Sequence, residues 1–246
     1  MLTMRDGSQA IDGRFGRIKE VDPVALDKYA LRKLIAPVRS PLRSYRWAVG
    51  ANNWYQPQVH LNQRQLSGCV GFSFSHELAA KPVIVRGVTD DSATELYFDI
   101  QDEDQWDGSE RPGAVPQMYG TSVIAGARLL QRRGHYKSFA WAENAKDAAW
   151  WISRRGPVVF GMDWHEGMMD TDDDGFIRRT GRIVGGHAIC GVGYSVKLNA
   201  VLLHQSWGAL WGMGGQCWIS LDDLWNEGTE ACVPTRTPFR EMIVNG

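Results

Sequence analysis

A cysteine is a useful nucleophile only as its thiolate, and a helix N-terminus and a neighbouring imidazolium both favour that form. Cys69 has the context for the first condition. Ser67 and Gly68 make a tight entry, and the residues that follow place Phe72, His76 and Ala79/Ala80 at helical spacing. His187 could supply the second. It stands in Gly185-Gly186-His187-Ala188-Ile189, at the start of a β-type run, and small residues such as Gly186 let a polypeptide backbone come close. Gln205, in His204-Gln205-Ser206-Trp207-Gly208, follows on the next run and offers an amide to orient an imidazole. Each residue alone reads as ordinary: a cysteine on an apolar helix as core, a histidine at a strand start as a satisfied polar group, a glutamine as a strand-surface amide. Their order and local context together point to thiol nucleophilic catalysis.

The elements that must position them are legible in outline. A helix begins at Cys69, a second spans Ala93–Gln101, and 102–120 is an acidic then Gly- and Pro-rich loop. Thr121-Ser122 caps a third helix that Gly134 ends, and Asn144–Arg155 is a fourth, stopped by Gly156-Pro157. Beyond Pro157 come short β-type runs: 157–164, 187–194, 200–207 and 216–221. Helices in the first half and strands in the second predict an α+β fold. Residues 1–46 read as an N-terminal arm, with a short helix after Pro23, and 47–246 as the main domain, opening on an extended stretch from Trp47 to His60.

Twenty-seven Lys and Arg against 28 Asp and Glu give a net charge of -1, which argues against a nucleic-acid binder. Arg39, Arg43 and Arg46 read as solvated surface. Neither a bilayer-spanning apolar run nor the apolar core of a signal peptide is present, which predicts a cytoplasmic protein with no membrane partner. Four cysteines without a CxxC pair suggest neither a disulfide scaffold nor a zinc site. Asp170-Thr171-Asp172-Asp173-Asp174-Gly175 looks like the front of a calcium loop, but the twelfth position is Gly181, so a polar hairpin turn is the better reading. His165, His204 and the acidic run at 102–104 lack metal-site spacing. Neither a metal nor a cofactor is expected.

Three boxes in order resemble the papain family of cysteine peptidases. Gln63-Arg64-Gln65-Leu66-Ser67-Gly68-Cys69-Val70-Gly71-Phe72-Ser73 is similar to the family's nucleophile box. Gly186-His187-Ala188 with Val192-Gly193-Tyr194 resembles its histidine box, preceded by the Gly156-Pro157-Val158 strand start. Gln205-Ser206-Trp207-Gly208 with Trp211-Gly212 and Gly215 resembles its third box. The resemblance covers about 47–235. It implies a two-lobed fold, with a helical lobe carrying Cys69, an antiparallel β-barrel lobe carrying His187 and Gln205, and a cleft that binds an extended polypeptide. It implies further that Gln63 and the Cys69 N–H form the oxyanion hole, that Trp207 shields the His187–Gln205 link, and that Trp211 lines the leaving-group side. Gly68 and Gly186 would border the substrate.

The chain departs from the family at four places. Val70 replaces a Trp, Leu66 replaces a disulfide Cys, Cys232 has no partner Cys before His187, and Gln205 replaces the usual Asn. The first three fit a short form without disulfides, similar to bacterial and bacteriophage members, and hence a virion-associated protein if phage-encoded. Gln205 bears on catalytic efficiency and keeps open a catalytically silent module with a binding or structural role. A cell-wall peptide hydrolase is a further alternative. Only 68 residues precede Cys69, and the arm reads as too short for a full inhibitory propeptide.

Overall fold

The computed structural model describes residues 1–20, 30–31 and 54–237. The helix expected after Pro23, the arginines at 39, 43 and 46 and the arm boundary at 46/47 lie outside the described residues, as does the start of the extended stretch from Trp47.

Helix α1 (Cys69–Ala79) starts at the N-cap Gly68, and all 11 of its residues are buried. Such a helix needs neighbours that approach closely, and Gly71 provides for one: a Cβ there would lie 2.6 Å from Cβ of Tyr97 on α2 (Asp90–Gln101). Thr89 and Ser92 form a capping box that begins α2 three residues earlier than the sequence pattern implied. Ser122 caps α3 (Val123–Arg132) and Asn144 caps α4 (Ala145–Arg154), each by accepting a backbone N–H from the first turn. Gly134, at φ +78°, turns the chain after α3, a conformation that favours glycine.

Near the N-terminus, β1 (Leu2–Thr3) pairs with β2 (Gln9–Ala10), and β3 (Arg17–Ile18) pairs in parallel with β4 (Thr121–Ser122). The main sheet contains β5 (Tyr136–Trp141), β6 (Val158–His165), β7 (Ile183–Ser195), β8 (Ala200–His204), β9 (Gln216–Ser220) and β10 (Glu230–Arg236). Their order is β5-β10-β6-β7-β8-β9, and every pairing is antiparallel. A one-turn helix, α5 (Leu221–Leu224), follows β9. The expected barrel is not closed. Its edge strands, β5 and β9, do not pair with each other; β5 takes a single bridge from Ala30 to Trp141 and β9 one from Phe176 to Trp218.

Side chains alternate across this sheet, as strand geometry requires. Val159, Ala188, Cys232 and Phe139 face α1 and α3, whereas Phe160, Ile189, Val233 and Ala140 share the other core with α4 and Trp164. All four cysteines are buried free thiols. The acidic stretch is a turn gathered by Asp172, which accepts from the Asp174 and Phe176 N–H groups and pairs with Arg178. Among the described residues, no helix is long and apolar enough to cross a membrane.

Within α1, Glu77 is fully buried and takes Nη1 of Arg236 at 3.1 Å and the Tyr136 hydroxyl at 2.7 Å. Burial raises its pKa, and Arg236 opposes the rise. Removing one partner of a buried pair strands the other, which costs about 3 kcal/mol, whereas losing one hydrogen bond costs about 1 kcal/mol. Arg236→Ala is therefore expected to destabilise more than Tyr136→Phe in urea unfolding at neutral pH. Equal midpoints for both variants and the parent would show that the pair does not hold α1.

Candidate active site beneath the N-terminal arm

Cys69 begins α1, where the first backbone N–H groups point outward. Its own N–H and those of the next turn are the donors from which an oxyanion site can be built. His187 lies on β7, opposite Met162 on β6, and Gln205 follows β8 directly. His187 Nε2 stands 2.7 Å from Gln205 Oε1. The Ser206 N–H also points at that atom, at 2.9 Å, and a backbone N–H can only donate, so the atom is the amide oxygen. His187 Nε2 must then carry the proton, which leaves Nδ1 as the base. Nδ1 makes no hydrogen bond of normal geometry, although the Arg14 backbone is near enough to favour its protonation.

Gln63 is tied to the same assembly. Its Oε1 accepts from the Ser206 hydroxyl, which turns Nε2 toward the Leu66 carbonyl at 2.7 Å and the Arg14 carbonyl at 3.2 Å. An indole wall encloses the imidazole. Trp207 and Trp164 lie 5.1 and 4.7 Å from His187, centroid to centroid, and Trp211 packs edge-on against Trp207. Cys69, His187, Gln205, Gln63, Gly186, Trp207 and Trp211 are thus gathered around one site, with Gly68 at its helix entry. Trp164 was not singled out from sequence. Its alternation with Phe160 and Met162 along β6 was the available signal, and it places the indole on the His187 face. His204, next to Gln205, stacks on His76 of α1 at 3.7 Å and belongs to the packing behind the site.

The N-terminal arm, read from sequence as too short for a full inhibitory propeptide, nevertheless runs through this site. A turn at Asp12–Phe15 and the few residues after it cover the two side chains. Arg14 places its carbonyl on Gln63 and its guanidinium 4.9 Å over Trp207. Phe15 packs on both His187 and Trp207. The Gly16 backbone reaches the Cys69 sulfur, and β3 continues beside β4. Gly16 is required by contact: a Cβ there would fall 1.8 Å from the Ser67 carbonyl oxygen. Arg5, bonded to Asp104, and Arg17, bonded to Glu230, anchor the arm on either side.

Cys69 and His187 are both 0% exposed. Burial pushes the thiol up to about 11, against smaller opposing effects of the Ala188, Gly16 and Val70 backbone and the Arg17 charge. Burial likewise lowers the imidazole to about 4, with the Gln205 hydrogen bond opposing it. With the arm in place, thiol and imidazole are therefore both neutral at pH 7. Among the described residues, no cluster of His, Cys, Asp and Glu is arranged to hold a metal ion.

Similarity to known proteins bears on this geometry. No family model matches the chain. The structure is similar to xylellain, a cysteine protease from Xylella fastidiosa, with a TM-score of 0.62 at 14% identity over 94% of this chain and 98% of that one. The fold is papain-like. The bromelain protease of Ananas comosus (TM-score 0.51, 14% identity, 76% of this chain and 99% of that one) has the same papain-like architecture. So does a digestive procathepsin L2 proteinase from the larval midgut of Tenebrio molitor (0.52, 16%, 91% and 79%). An uncharacterised peptidase C1-like protein of Acanthamoeba polyphaga mimivirus is 32% identical over 68 residues, 24% of this chain and only 21% of the viral protein.

A neutral buried thiol reacts only through its small thiolate fraction. Alkylation of Cys69 in the intact chain, followed by peptide mapping, is expected to be slow and to rise about tenfold per pH unit between about pH 6 and 9. Gly16→Leu cannot keep its contact with Ser67 and should speed labelling at pH 7 by about tenfold or more. Fast labelling of the parent, or no change in the variant, would contradict the occluded state.

Proposed function

We propose that the chain is a cysteine peptidase that hydrolyses peptide bonds in an extended polypeptide once the arm leaves the cleft. The observation carrying this reading is the arm itself. A length of polypeptide already lies on the site, turning at Asp12–Phe15, with a peptide carbonyl on Gln63 Nε2 and the following backbone at the Cys69 sulfur. Substrate in the same place would present its carbonyl to the thiolate. The papain-like fold supports the same reading.

In this mechanism the Cys69 thiolate attacks the carbonyl carbon, and the oxyanion takes hydrogen bonds from Gln63 Nε2 and the Cys69 N–H. His187, protonated on Nδ1 after accepting the thiol proton, gives that proton to the leaving amine. The released amine departs with the C-terminal fragment. Nδ1 then takes a proton from water as the water attacks the thioester, and the Cys69 sulfur leaves. Throughout, Gln205 Oε1 holds the Nε2–H, so the ring cannot turn its base away. Gln reaches His187 at 2.7 Å in place of the family's Asn, so the longer stem does not break the link.

One observation favours the alternative of a silent module: with the arm seated, the pair is neutral and closed to solvent. Kinetics in the full-length Gly16→Leu variant separate the two. Casein or a peptide library is expected to be cleaved and peptidoglycan left intact. Adding Cys69→Ala should abolish cleavage with circular dichroism unchanged, and adding Gln205→Ala should lower kcat about ten- to a hundredfold with little change in KM. If Cys69 labels rapidly in the Gly16→Leu protein and no peptide is cut, the silent-module reading holds instead.

A further inference from the structure

Beside the thiol lies a pocket built for one kind of side chain. We propose that the cavity walled by Glu230, Asp163, Gly161 and the Gly228 carbonyl, filled in this structure by Arg17 of the arm, is the subsite that selects an arginine of the polypeptide substrate. The proposal rests on the peptidase reading above and names the substrate class it implies.

Arg17 shows what the pocket accepts. Its Nε donates to Glu230 Oε1 at 3.0 Å, Nη1 to Asp163 Oδ1 at 3.4 Å, and Nη2 to the Gly228 carbonyl at 2.8 Å. The guanidinium is thus held along three edges by two carboxylates and a carbonyl, all of them acceptors. Its side chain is 2% exposed and that of Glu230 is 10% exposed. Arg17 follows Gly16, whose backbone reaches the Cys69 sulfur, and a Cβ on Gly186, which precedes His187, would lie 2.1 Å from the Arg17 carbonyl oxygen. Any residue filling the pocket therefore lies within about a residue or two of the bond under attack.

The walls explain why the pocket is open at all. In the sheet register, Gly161 on β6 faces Glu230 on β10 and Ala188 on β7. A Cβ at Gly161 would stand 2.5 Å from Glu230 Oε1 and 2.9 Å from Arg17 Nε, so any larger residue would close the space that the guanidinium occupies. Burial raises the Glu230 pKa, while the Arg17 and Lys19 charges oppose the rise and Glu20 adds to it. Arg17, Lys19 and Glu20 all belong to the arm and leave with it. What remains is the Glu230 carboxylate, with Asp163 nearby, without the cation that pairs with both in this structure. A planar fork satisfies this set of acceptors, whereas the compact ammonium of lysine cannot reach all three. A leucine side chain would leave both carboxylates unpaired.

The test uses the Gly16→Leu protein, whose arm is unseated, carrying Arg17→Ala, which empties the pocket, alone and combined with Glu230→Gln. Arg17→Gln, which keeps the stem and an amide donor, serves as the second background if the alanine variant does not fold by circular dichroism. Peptides carrying Arg, Lys or Leu at successive positions beside one scissile bond are compared by kcat/KM, and agmatine is titrated against melting temperature as a readout independent of turnover. The expected results are that one position favours Arg by about tenfold or more over Lys and Leu, and that agmatine stabilises the protein. Both effects should disappear with Glu230→Gln. If no peptide is cut but agmatine stabilises in a Glu230-dependent way, the peptidase reading fails and the pocket stands. If neither the Arg preference nor agmatine stabilisation depends on Glu230, the pocket proposal is overturned, whether or not peptides are cut.

Discussion

Because all 11 residues of α1 are buried, the helix can neither slide nor turn without opening a void or pulling Glu77 away from Arg236. That immobility fixes the position of Cys69 at its first turn. The sheet supplies the opposing half of the site in the same way. Ala188 on β7 packs in the core shared with Cys69, so His187, one residue before it, is held in register with the helix end. The proposed chemistry therefore sits where two closely packed elements meet, with other segments laid over it.

Foremost among these is the arm. Its seven residues from Asp12 to Ile18 lie over Cys69 and His187, both of which are fully buried. Burial favours the uncharged forms of both Cys69 and His187, since neither ion is solvated nor fully compensated there. The polar contacts that the arm offers in exchange are weaker than that penalty. The Gly16 backbone and the Arg17 charge favour a thiolate, but burial outweighs them. Anchorage comes from charged groups at its ends, Arg5 on Asp104 and Arg17 on Glu230, rather than from the glycine that crosses the sulfur.

The sequence made the helices and strands legible because their boundaries carry local chemistry. Ser122, Asn144 and Gly134 act through groups within a few residues, and period-2 alternation marks the strands. Cys69, His187, Gln205 and Gln63 were legible through their boxes. The hydrogen bonds from Ser206 to Gln63 and from that glutamine to the Arg14 carbonyl were not, since they join residues more than 45 positions apart. Arm length was uninformative about the cleft for a related reason. It counts residues but does not reveal that Gly13 and Gly16 let the backbone lie directly on Gln65 and Ser67. Open sheet edges were equally invisible, because a strand's pattern records which face is buried and not whether its last neighbour is another strand.

Ser206 joins two functions that are usually considered apart. Its N–H fixes the Gln205 amide that orients the imidazole, and its hydroxyl fixes the Gln63 amide aimed at the peptide carbonyl. The groups proposed for proton transfer and for charge stabilisation are therefore geared through a single residue. A small shift of the backbone there would misalign both together, so the energetic effects of changing Gln63 and Gln205 are not independent quantities to be summed.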